Sequence, residues 1–203
     1  MLYIAQPKHY DCPAESVSRA TKAAHERLYK GYVRAFNDAS ARADAALRGE
    51  NQDTFREAKR AEAAYANAVY LHELYFANSF DPHSEIMVES LAYMRLQRDW
   101  GTFDDWQREM MACGTSSKNG WIVTAYSTFF KRYSNFILDG HDVGSIVGHY
   151  PVVVLDMHEH AYAADYADDK LAFIVSQMRE IRWDVVEARV RRAEEISNAL
   201  RTT

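Results

Sequence analysis

Apolar positions fall into two regimes along this chain. Up to residue 78 they recur at helical spacing. Val17, Ala20, Ala24, Leu28, Val33 and Phe36 form one series, and a second, alanine-rich series runs on to Asn78. One apolar stripe recurring every three or four residues is the mark of an amphipathic helix. The pattern predicts a long helix over residues 14–47, with Pro13 suited to its first turn. Gly49 and a polar turn end that series, and a second helix is expected over residues 53–78. Two long helices joined by a short turn pack as an antiparallel hairpin. Pro82, just after Asn78-Ser79-Phe80-Asp81, marks a boundary. The chain therefore reads as a helical hairpin over residues 1–82 and a second unit over residues 83–203.

The second unit changes period. Shorter helices are expected over residues 84–98 and 102–112, followed by a loop over 114–120. Residues 121–126, 133–138 and 152–155 have the β-branched and aromatic composition of strands. Asp139-Gly140 lies between the last two of these runs and is a hairpin-turn signal. Helices close the chain at about 170–179 and 183–200. No internal repeat or low-complexity segment occurs. Helices followed by a small group of strands and more helices make an α+β fold.

Composition narrows the function classes. The chain has 203 residues, 48% hydrophobic and 26% charged, with a net charge of -5. A pI near 5.9 and the lack of a Lys/Arg block argue against a nucleic-acid partner. No apolar run approaches the roughly 18 residues of a membrane span. The first fifteen residues lack the basic-then-apolar order of a secretory signal. Cys12 and Cys113 are too few for a disulfide framework, and their spacing suits no zinc motif. A reducing, cytoplasmic setting is the expectation.

The chemistry concentrates in residues 151–166, PVVVLDMHEHAYAADY. Val152, Val153, Val154 and Leu155 read as a buried strand running straight into Asp156. A carboxylate there is costly unless paired or bound to metal. His160 shares a face with Asp156 if a helical turn begins between them. On these residues alone, a helix-capping Asp and half of a metal site are both open readings.

The segment LDMHEHAYAADY resembles the C-terminal signature of the iron/manganese superoxide dismutases. Asp156, Glu159, His160, Ala161 and Tyr162 match it, whereas His158 stands where the family has tryptophan or, in some members, phenylalanine. The resemblance continues through Trp183-Asp184-Val185-Val186-Glu187. It implies a long antiparallel helical hairpin followed by a small three-stranded antiparallel sheet with surrounding helices. It also implies two further metal ligands on the hairpin. His72, in HELYF, resembles the second ligand segment, with Leu71 in place of the family's asparagine. His25 is the candidate on the first helix. The family's ligand lies eight residues before an active-site tyrosine, here Tyr32 in Gly31-Tyr32-Val33, and eight back is Ala24. His25 is one residue out of that register, about 100° around a helix. Either a local bulge restores it or the site is altered.

Three neutral imidazoles and one carboxylate suit redox-active iron or manganese, one per chain, although such sites also accept zinc. The resemblance implies superoxide as substrate, disproportionated to dioxygen and hydrogen peroxide. It assigns His25, His72, Asp156 and His160 to the metal and Tyr32 to the active site. His141 is similar in spacing to the histidine with which some members hold the bound solvent, and a turn histidine is the plain alternative. Lys170 stands for an arginine near the substrate funnel, where a cation attracts a small anion. Glu159, His160 and Tyr162 would lie at a homodimer interface. His9, His83 and His149 read as solvated. A non-enzymatic protein that keeps the fold for structural or assembly purposes is the alternative, and no nucleophile or phosphate motif supports a hydrolase.

Overall fold

A computed structural model describes residues 4–10, 15–141 and 147–200. The order of elements is α1 (Arg19–Arg48), α2 (Gln52–Asn78), α3 (Leu91–Trp100), α4 (Phe103–Ser116), β1 (Trp121–Ser127), β2 (Tyr133–Leu138), β3 (His149–Asp156), α5 (Glu159–Tyr166), α6 (Lys170–Arg179) and α7 (Trp183–Ala199). This is the α+β fold that the sequence implies, with its helical hairpin and three-stranded antiparallel sheet.

Local chemistry sets most boundaries. Side-chain oxygens of Ser18, Asn51, Ser90, Thr102 and Asp169 each accept a backbone N–H in the first turn of the helix that follows. These caps satisfy donors that helix starts otherwise leave bare. The Ser90 cap corrects the expectation of a helix from residue 84, since α3 begins only at Leu91. Pro13 and Cys12 lie outside the described residues.

The strand order is β2-β1-β3, which corrects a second expectation. The strands flanking Asp139-Gly140 do not pair with each other, so this dipeptide is not a hairpin turn. The hairpin joins β1 to β2, and the chain then passes over to the far edge of β1. Every residue of β1 is buried, as a central strand requires. β3 is an edge strand and accommodates Pro151, opposite Ala125, beside an irregularity in the ladder. Helices α2 and α7 pack on β3, and α4 packs on β1 and β2. At Gly114 of α4 a Cβ would fall 2.1 Å from Ile174 Cδ1 and 2.7 Å from Ile122 Cδ1, so the absent side chain allows α4 to sit this close.

One row across the sheet positions the chemistry. Trp121 opens β1 and pairs with Leu138, the end of β2, on one side and with Asp156, the end of β3, on the other. His141 follows Leu138 by three residues. The same end of the sheet therefore presents Trp121, Asp156 and His141 toward the helical hairpin.

Candidate metal centre

On α2 the buried residues Ala68, Leu71, His72, Tyr75 and Phe76 form one stripe. His72 takes its place in that stripe with no exposed surface. Its Nδ1 lies 2.7 Å from the Ala68 carbonyl, one turn back, so Nδ1–H donates and Nε2 keeps its lone pair. On α1 the buried series Thr21, His25, Tyr29 and Val33 faces α2. α1 is α-helical throughout, and it nevertheless brings both His25 and Tyr32 to the site. The local bulge, one of the two readings of this register, is absent and unnecessary. Seven residues turn an α-helix by about 700°, only roughly 20° short of two full turns.

His25, His72, Asp156 and His160 each offer a ligand atom, and the four atoms lie within 4.8 Å of one another. Asp156 Oδ2 is 3.0 Å from His25 Nε2, 3.1 Å from His160 Nε2 and 3.7 Å from His72 Nε2. The Nε2 atoms of His25 and His72 are buried without any hydrogen-bond partner. Orphaned buried nitrogens are uncommon because each costs free energy. Two of them converging beside a fully buried carboxylate, with a third imidazole in reach, fit a cation of the iron or manganese class.

Electrostatics agree with that donor set. Burial holds His72 down to about 3 and lowers His25 as well, against the pull of Asp156 on both. Both are therefore neutral at pH 7, as metal ligation requires. Burial alone would raise Asp156, but the imidazoles of His158, then His160 and His25, set against its oxygens hold it well below the usual carboxylate range. The site thus has one fixed negative charge and the Nε2 lone pairs of neutral His25 and His72, with the His160 imidazole beside them.

Around the cluster, the Tyr32 ring lies 5.1 Å from that of His72 and 4.9 Å from that of His141. Burial, then Asp156, raises the Tyr32 hydroxyl, which stays protonated. Trp121 Nε1–H donates to His141 Nδ1 at 3.1 Å, which leaves the neutral ring its proton on Nε2. Lys170 opens α6, and its ammonium donates to the carbonyls of Ser117 and Lys118 at 2.6 and 3.0 Å, so its charge is engaged beside the end of α4. Glu159 is exposed at the start of α5, His160 is partly exposed, and Tyr162 is buried against Phe173. His149 is half-buried and packs on Phe136, so it is not the solvated turn residue expected. His9 and His83 are exposed.

Sequence reasoning missed three participants. Trp121 was read only as a strand residue. Tyr29, one turn after His25, stacks on His72 and donates to Glu73 Oε1 at 2.9 Å. His158 was noted only as a substitution, yet its backbone N–H and its Nδ1 both bond Asp156 Oδ1. The spacing of an aspartate two residues before a backbone donor was the available signal.

Residues 89–189 match the family described as iron/manganese superoxide dismutases, C-terminal domain. The chain is 30% identical over 205 residues to the iron superoxide dismutase of Aquifex aeolicus, covering 97% of this chain and 95% of that protein. The chain belongs to the iron/manganese superoxide dismutase family. Among other relatives, manganese superoxide dismutase 1 of Halobacterium salinarum is 28% identical, with 84% of each chain covered. The iron superoxide dismutase of Cupriavidus metallidurans is 30% identical over 78% of this chain and 80% of its own. Family membership accounts for the joint placement of four ligand-type side chains drawn from both helices of the hairpin, the end of β3 and α5.

Proposed function

We propose that the protein is a superoxide dismutase that holds one iron or manganese ion through His25, His72, Asp156 and His160. The observation that carries this reading is the pair of buried, unpartnered Nε2 atoms on His25 and His72 beside Asp156. The ion would supply the one-electron redox change, taking an electron from one superoxide and returning it to a second. The chain supplies the rest. Asp156 offsets the ion's charge in a site where burial strengthens each interaction. The Tyr32 hydroxyl and His141 Nε2–H are the protonated donors beside the cluster, suited to delivering the two protons that turn reduced oxygen into hydrogen peroxide. Trp121 fixes His141 in the tautomer that donates. Lys170 adds a positive charge on the same half of the chain, and its proposed part is long-range attraction of an anion rather than contact.

The reading extends to a homodimer. A ligating imidazole usually gives its second N–H to an acceptor. His72 gives its own to Ala68, whereas His160 has a side chain 27% exposed and no acceptor for Nδ1 among the described residues. Glu159 of a second chain would supply one, with Tyr162 packed behind. No helix among the described residues is long and apolar enough to cross a membrane. With two cysteines in 203 residues, a cytoplasmic setting is part of the proposal.

The test is elemental analysis of purified protein together with superoxide consumption, beside His72→Ala. One iron or manganese per chain and activity lost in the variant are expected. Equal background rates for both proteins would favour a structural role for the fold.

A further inference from the structure

Asp156 is held on both oxygens, and only one faces the histidine cluster. Oδ2 meets His25, His72 and His160. Oδ1 faces the other way and accepts two hydrogen bonds from one residue, from His158 N at 2.9 Å and from His158 Nδ1 at 2.7 Å. The His158 ring is itself fixed. It is buried, lies nearly parallel to His160 at 5.0 Å, and contacts His141 at 4.8 Å and Trp121 at 5.4 Å. A carboxylate oxygen can only accept, so the short contact requires the proton on Nδ1.

We propose that His158 is a positioning residue for the metal centre: its Nδ1–H locks Asp156 Oδ1 away from the cluster, so that the carboxylate offers Oδ2 alone to the ion. This rests on the metal-site reading above. Two consequences follow from the bond. The carboxylate cannot swing to present both oxygens, which fixes the number of ligand atoms. A donor on the far oxygen also draws electron density from the only anionic ligand and weakens its preference for the more highly charged ion. Partners of this kind typically change metal affinity by about 10–100-fold. A tenfold change in preference between the two oxidation states is about 59 mV for a one-electron couple.

Two substitutions separate positioning from space filling. The Asn amide nitrogen reaches where Nδ1 sits, so His158→Asn keeps the donor while losing ring volume. His158→Phe keeps a ring and loses the donor. Metal retention is measured by competition with a chelator, and the potential of the iron-loaded protein by redox titration, with circular dichroism confirming the fold of each variant. Expected are near wild-type retention for His158→Asn and a loss of about 10–100-fold for His158→Phe, with a lowered potential. Nitrogen-detected NMR of the wild type should find the His158 proton on Nδ1. Retention and potential unchanged in His158→Phe would overturn the role of His158 while leaving the metal site intact. A wild-type protein that takes up no metal would overturn the metal-site reading and this role together.

Discussion

Seven residues separate His25 from Tyr32, and that spacing decides whether one helix can serve both. A regular helix places them on nearly the same side, with His25 against Asp156 and Tyr32 over His72. Their proposed jobs are separable, since His25 is a proposed ligand and Tyr32 a proposed proton donor whose ring lies beside His72 and His141. Tyr32→Phe is therefore expected to lower superoxide consumption several-fold while leaving metal content unchanged. Metal loss on removing this single hydroxyl would instead make Tyr32 part of the binding site. The neutral histidines set a second expectation, for the metal-free protein. Unfolded, His72 takes up a proton as pH falls through about 6.5, whereas in the folded chain it does so only near 3. The unfolded state thus binds more protons in that window, and stability falls with acidification by up to about 1.4 kcal/mol per pH unit for each such histidine. His25 acts in the same sense. Asp156, depressed below 3.8, contributes stability that is lost only as pH falls through its lower folded value. Urea denaturation at two pH values between 5 and 7.5, repeated on His72→Leu, checks this: the variant should show the shallower dependence.

At the scale of elements, a buried cation joins α7 to α2 and the sheet. Arg189 donates to Asn78 Oδ1 at 2.7 Å, to the Val152 carbonyl at 3.1 Å and to the Leu74 carbonyl at 2.8 Å. Burial lowers its pKa to about 10, and no carboxylate pairs with it among the described residues. The last turn of α2 offsets part of that cost, since carbonyl oxygens there favour a positive charge. Arg189→Met should lose about 2–4 kcal/mol, because acceptors formed around a charge are left without it. A denaturation midpoint unchanged in the variant would show that the bonds to Asn78, Val152 and Leu74 contribute nothing net. Arg189 also marks where sequence reading ended. Helical period and strand composition located α2, β2 and α6 almost to the residue, whereas the helix expected from residue 14 begins only at Arg19, after the Ser18 cap. They could not give the strand order, since nothing in Asp139-Gly140 records that β1 lies between its neighbours. They equally could not show that a charged residue of α7 points inward, or that His158 turns toward Asp156, as both depend on partners distant in sequence or hidden in a turn. Asp156, His160 and His72 were legible because apolar surroundings make a polar side chain conspicuous. His25 was legible only with an assumed defect in the helix, which the fold does not contain.

At the scale of the whole molecule, the cluster sits where hairpin and sheet meet, and one edge of it is open. His25, His72 and Asp156 are at most 3% exposed, but the His160 side chain is 27% exposed, next to Glu159 on the surface. A two-fold axis near this edge would set each chain's Glu159 against the other's His160, the self-complementary contact of an isologous dimer. Metal retention and association are then coupled. The partner's carboxylate would hold the His160 ring through Nδ1, and an ordered His160 favours the ion in both chains. Glu159→Ala is expected to shift the species seen by light scattering at micromolar concentration from dimer toward monomer. It should also weaken metal retention by about 10–100-fold, the range typical for losing a carboxylate behind a ligating histidine. Glu159→Gln keeps an acceptor without the charge and should fall between the two. A wild-type protein that is monomeric at that concentration, or a Glu159→Ala protein that stays dimeric and keeps its metal, would remove Glu159 from both roles and leave His160 open to solvent.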